Sequence, residues 1–121
     1  MTTPAQQPLY LFVFRSPQPF PNQTPEEMQQ TLNKWMAWMQ SLKARNCFHG
    51  VNRLERTGQV VRGPGATVTD GPFVESKEIV GGYIIVSAAS QAEATELAKG
   101  CPILAFGGAV EVRPVMEIPL R

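Results

Sequence analysis

Two short stretches decide most of what this chain can fold into. Leu9-Tyr10-Leu11-Phe12-Val13-Phe14 and Tyr83-Ile84-Ile85-Val86 are apolar at every position rather than at every second one. Successive side chains of a strand point to opposite faces, so each stretch is apolar on both. Both belong in the middle of a sheet whose two faces are withdrawn from water. The chain has 121 residues, one domain's length, and 43% of them are hydrophobic, enough for a single core.

The segments between these strands are punctuated clearly. Residues 1–8, with Pro4 and Pro8, read as a loose tail ahead of a domain over 9–121. Ser16 to Gln23 is a loop stiffened by Pro17, Pro19 and Pro21. Thr24-Pro25-Glu26-Glu27 has the form of a helix start with a capping box. Met28, Leu32, Trp35, Met36, Met39 and Leu42 then recur at helical spacing, which predicts a helix to about Arg45 with this stripe in the core. Phe48–Leu54 reads as a second strand, and Val60-Val61 and Thr67-Val68-Thr69 as a small hairpin around Gly63-Pro64-Gly65. Gly81–Ser87 is the next strand of the main sheet. Ser90-Gln91-Ala92-Glu93 starts a second helix, which buries Ala94, Leu97 and Ala98 and stops at Gly100. Ala109–Arg113 is the last strand, cut by Pro114.

Leaving the small hairpin aside, the order is βαββαβ, the split βαβ or ferredoxin-like α+β arrangement. It predicts a four-stranded antiparallel sheet with two helices on one face and the two doubly apolar strands at the centre. Pro114 suits an edge, where its missing N–H is tolerated. Two helices cover one face only, so the other keeps one alternating set from Leu9–Phe14 and one from Tyr83–Val86. Apolar area left in water is unfavourable by ~25 cal/mol per Å2. A second copy, sheet against sheet about a two-fold axis, is the simplest cover, and the expectation is a homodimer.

Several function classes find no support. The net charge of +1 offers no electrostatic footprint for nucleic acid. No apolar run approaches the ~18 residues that span a bilayer, and the start lacks a secretory pattern, so the cytoplasm is the expected compartment. One His and two isolated cysteines, Cys47 and Cys101, do not make a metal site; they read as buried reduced thiols. Gly63-Pro64-Gly65 is not followed by the Lys-Ser/Thr of a phosphate loop, and no cofactor is indicated.

Polar residues that could carry chemistry gather before the third strand of the main sheet: Asp70, Glu75, Lys77 and Glu78. Asp70 has the chemistry of a general base, and equally that of a turn residue, because Asp-Gly-Pro bonds and bends backbone. Lys77 can pair with a carboxylate or phosphate; Glu75, Lys77 and Glu78 also fit a solvated face. His49, the only side chain titrating near neutrality without help, opens the second strand and is either an acid–base partner of Asp70 or Glu75 or half-buried. Glu111 and Arg113 share one face of the last strand, opposite Val110 and Val112, and Arg15 ends the first strand in the same region; Arg113 there binds an anionic ligand or forms a salt bridge across the dimer. Tyr83 offers an apolar body with a hydroxyl for lining a pocket.

Thr69-Asp70-Gly71-Pro72-Phe73-Val74-Glu75-Ser76-Lys77-Glu78, then Gly81-Gly82-Tyr83, resembles the signature of the YCII-related proteins that carry a D-G-P-F motif. Cys101-Pro102 and Gly107-Gly108-Ala109-Val110-Glu111-Val112-Arg113-Pro114 are similar to theirs too, and the strand–helix order agrees from residue 9. The resemblance implies a dimeric α+β barrel and no assigned substrate; some relatives accompany or are fused to extracytoplasmic-function sigma factors. More distant YCII-like proteins are credited with a His–Asp pair, the His on the first helix and the Asp before a proline after the second. This chain has no His on its first helix and places Cys101 before Pro102, so the pair is not carried over. Two readings follow. One is a dimeric module that binds a small polar ligand or a protein partner such as a sigma factor. The other is a cofactor-free enzyme doing acid–base or hydrolytic chemistry on a small acid, with Asp70 as base and His49 or Lys77 assisting.

Overall fold

The computed structural model describes residues 7–72 and 78–116. Strand β1 (Leu9–Pro17) leads through the proline-rich loop to helix α1 (Pro25–Ala44), then strand β2 (Phe48–Arg53). Strands β3 (Gly58–Arg62) and β4 (Thr67–Gly71) follow as a ribbon. Strand β5 (Glu78–Ser87), helix α2 (Gln91–Ala98), a 3-10 turn (Pro102–Phe106) and strand β6 (Ala109–Pro114) are the remaining elements of the described residues.

The main sheet has the order β2-β5-β1-β6, and all its pairings are antiparallel. The two doubly apolar strands are central, as their composition requires. Pro114 closes the ladder on edge strand β6, opposite Tyr10. Two helices on this sheet make the fold ferredoxin-like α+β. The ribbon β3–β4 pairs only with itself.

Strand alternation sorts the side chains. Tyr10, Phe12 and Phe14 are buried on the helix face, with Ile84 and Val86 of β5 beside them. From the helices, Trp38, Leu42, Ala94 and Ala98 complete the core. Val110 and Val112 pack on it from β6. Trp38 lies against Phe12 and Phe14 at ring separations of 6.2 and 6.0 Å, and its indole N–H donates to the Leu97 carbonyl at 3.1 Å. That bond ties α1 to α2 and satisfies the one polar group of the ring.

Both helices begin where the sequence places them. The Thr24 hydroxyl accepts from the Glu27 N–H at 3.1 Å, and the Glu27 carboxylate accepts from the Thr24 N–H at 3.0 Å, closing the capping box. At α2 the Ser90 hydroxyl accepts from the Glu93 N–H. The 3-10 turn has no counterpart in the sequence reading. It ends on Gly107 at φ 81°, a left-handed conformation that suits glycine.

The core stripe of α1 needs correction. Of the six residues expected in it only Leu42 is buried, and Trp38 joins it from outside the stripe. Trp35 and Met39 are half-buried, while Met28, Leu32 and Met36 are 56%, 52% and 50% exposed. The helix is anchored at its C-terminal half and stands off the sheet at its N-terminal half. Among the described residues no helix is long and apolar enough to cross a membrane.

Candidate functional site

Where α1 stands off, a cleft of about 950 Å3 opens between its N-terminal half, the proline-rich loop and the β2–β5 side of the sheet. Its sheet wall includes Phe14, Ser16, Val51 and Ile79, and its helix wall Met28, Leu32, Trp35 and Met39. Phe14 and Trp35 meet edge to face, with ring centres 5.1 Å apart. Phe20 closes the loop side, held by Phe106 of the 3-10 turn at 5.3 Å. Arg53, Glu55 and Arg56 stand along the β2 side.

The bare floor has a sequence cause. Gly81 and Gly82 interrupt β5 between Ile79 and Ile84. Edge strand β2 comes so close that a Cβ at Gly82 would lie 2.7 Å from the Asn52 carbonyl oxygen and 3.3 Å from the Arg53 Cα. Only glycine permits that approach, and it leaves no side chain to fill the space beneath α1. At Gly81 the register with β1 slips by one residue. A smaller groove of about 380 Å3 between α1 and α2, edged by Arg45, Glu93 and Glu96, offers far less apolar wall.

The residues expected to carry chemistry lie elsewhere. Asp70 is exposed on β4, opposite Gln59 of the ribbon. His49 is exposed at the irregularity where the β2 register shifts between Phe48 and Gly50. No hydrogen bond joins the two, and neither lines the cleft. Glu75 and Lys77 fall outside the described residues; Glu78 opens β5 opposite Pro17. Tyr83 faces away from the helices, and its hydroxyl accepts from the Asn52 side-chain amide at 2.8 Å. Arg15 and Arg113 share that open face with Glu111. The Glu111 carboxylate accepts from the Arg15 guanidinium at 3.0 and 3.2 Å, and Arg113 approaches it at 3.8 Å. The expectation is an anion site or a bridge across two copies; the contacts seen join residues of one chain.

The cysteines are buried and free. Burial pushes the Cys101 thiol up to about 12. Burial also raises Cys47, against the pull of Arg45, and its thiol donates to the Leu42 carbonyl at 3.3 Å. Both stay protonated at neutral pH, which makes them packing groups and not nucleophiles.

Sequence reasoning passed over the cleft. Its one local signal was the Gly81-Gly82 pair inside an otherwise apolar strand, because strand glycines mark bulges and close approaches. The proline-rich loop, read only as a stiff connection, is a wall.

No curated protein matches the chain. The model of the YCII-related domain matches residues 11–119, which takes in most of β1, all of β5 with the glycine floor, and the final edge strand. With nearly its whole length matched, the chain belongs to the YCII-related family.

Proposed function

We propose that this chain acts as a homodimeric small-molecule-binding module, with the ligand held in the cleft between α1 and the sheet. One observation carries the ligand half of the reading: an apolar stripe of α1 is left unpacked over a glycine floor. Met28 and Leu32 gain nothing from facing water there, since apolar surface is driven out of it. A ligand would supply the missing contact. The volume lies within the roughly 300–1,000 Å3 of small-molecule sites, and polar groups at one margin around an apolar interior are their usual composition.

The dimer half rests on the opposite face of the sheet. Leu11, Val13 and Ile85 form its centre, and among the described residues no helix covers them. The Asn52–Tyr83 pair borders this centre on one side and the Arg15–Glu111–Arg113 cluster on the other. An apolar centre with a polar rim is the anatomy of a protein interface.

A thermal-shift screen of small metabolites against the parent, Val51→Trp and Asp70→Asn tests the ligand site. Val51 is exposed at the cleft, so tryptophan there fills the site without disturbing the core. A ligand of the cleft raises the melting temperature of the parent and of Asp70→Asn and leaves Val51→Trp unmoved. The opposite pattern would put the site on the ribbon and overturn the reading.

A further inference from the structure

We propose that the cleft selects aromatic carboxylates, with Arg53 as the anchor for the carboxylate. The inference rests on the cleft being the ligand site and adds the chemical class of its occupant.

The walls call for a flat, polarisable body. Three aromatic rings, Phe14, Phe20 and Trp35, border the space, with the Met39 thioether beside them. Phe14 and Trp35 already hold an edge-to-face arrangement at 85°, which an added ring extends by stacking on one of them.

The margin calls for an anion. Arg53 pairs in register with Gly82, so its side chain leaves β2 on the helix face and meets bare backbone, with no side chain at its cross-strand position. It has no hydrogen bond or ion pair among the described residues. Arg56 donates to the Gln18 side-chain oxygen at 3.3 Å and keeps its remaining donors. Glu55 lies between the two in sequence, but no ion pair joins it to either. Two guanidinium groups thus stand beside one carboxylate that neutralises neither by contact.

An arginine at the edge of an apolar cavity loses water when a ligand enters, and a neutral ligand gives nothing back. A carboxylate gives back two parallel charge-assisted hydrogen bonds, which the planar guanidinium is shaped to make. The same cost excludes cationic ligands.

Isothermal titration calorimetry with 2-naphthoate and its uncharged isostere 2-naphthamide tests the assignment. The expected result is naphthoate binding about tenfold tighter than the amide at low salt, the scale on which charge-assisted hydrogen bonds exceed neutral ones. Arg53→Gln then brings naphthoate to the affinity of the amide and leaves the amide's own affinity unchanged. Arg56→Gln weakens naphthoate in the same direction and by less. Equal affinities in the parent, or an Arg53→Gln variant that keeps the preference, overturn the carboxylate assignment while the cleft stands as a neutral site. If Val51→Trp leaves both compounds bound as before, or if neither binds the parent at millimolar concentration, the cleft reading and this inference fail together.

Discussion

Cys101 shows how a single buried atom ties stability to pH. It is 3% exposed at the start of the 3-10 turn, and its thiol holds its proton to about 12 because burial penalises the thiolate. The unfolded chain releases that proton near the free thiol value of about 8.5. The folded state's advantage is therefore complete below that value and is lost progressively as pH climbs through it toward 12. The urea midpoint of the parent should fall more steeply between about pH 8 and pH 10.5 than that of Cys101→Ala; parallel falls would contradict this. The sequence made both thiols legible as small hydrophobes, since isolated cysteines with no partner at metal or redox spacing have little else to do. It could not make Arg53 legible. A lone arginine on an edge strand looks like any solvated charge until the register sets it across from Gly82.

The elements form largely from local instructions. Thr24, Pro25 and Glu27 start α1 with hydrogen bonds spanning three residues, so the start was readable from four letters. The Glu27 carboxyl is held below its usual range by the Thr24 N–H and then its hydroxyl. The box is thus intact above the ordinary carboxylate value and fades as pH falls through the lowered one. Thr24→Ala should lower the unfolding free energy by about 1 kcal/mol in urea titration, the usual value of an N-cap; an unchanged midpoint would show that the loop holds the helix start without it. What α1 does with its apolar stripe was not local. Met28, Leu32, Trp35 and Leu42 have the same periodicity, yet Leu42 is core and Met28 is cleft wall. The difference comes from the strand beneath, where bulky Ile84 and Val86 underlie one end and Gly82 the other.

At the scale of the whole molecule, one sheet face is filled by the chain's own helices and the other is the face proposed to meet a second copy. Leu11 sits in the middle of the open face, with Ile85 and Arg113 as its cross-strand neighbours. The parent should scatter light as twice the chain mass at micromolar concentration. Leu11→Asp, placing a carboxylate beside Arg113 where it stays solvated only in a free subunit, should scatter as a single chain with an unchanged circular dichroism spectrum. A parent of single-chain mass would contradict the dimer.

By itself the sequence determined the strands and the two α-helices, the central places of the two doubly apolar strands and the edge position of the proline-cut last strand, though not the 3-10 turn. Alternation, capping and proline geometry act over two to four residues, within reach of pattern reading. Only the tertiary structure decided where α1 leaves the sheet, that Gly81 and Gly82 floor a cavity, and that Arg53 rises beside it. A cavity is made by residues far apart in the chain failing to fill a shared space, and no run of neighbouring letters encodes that.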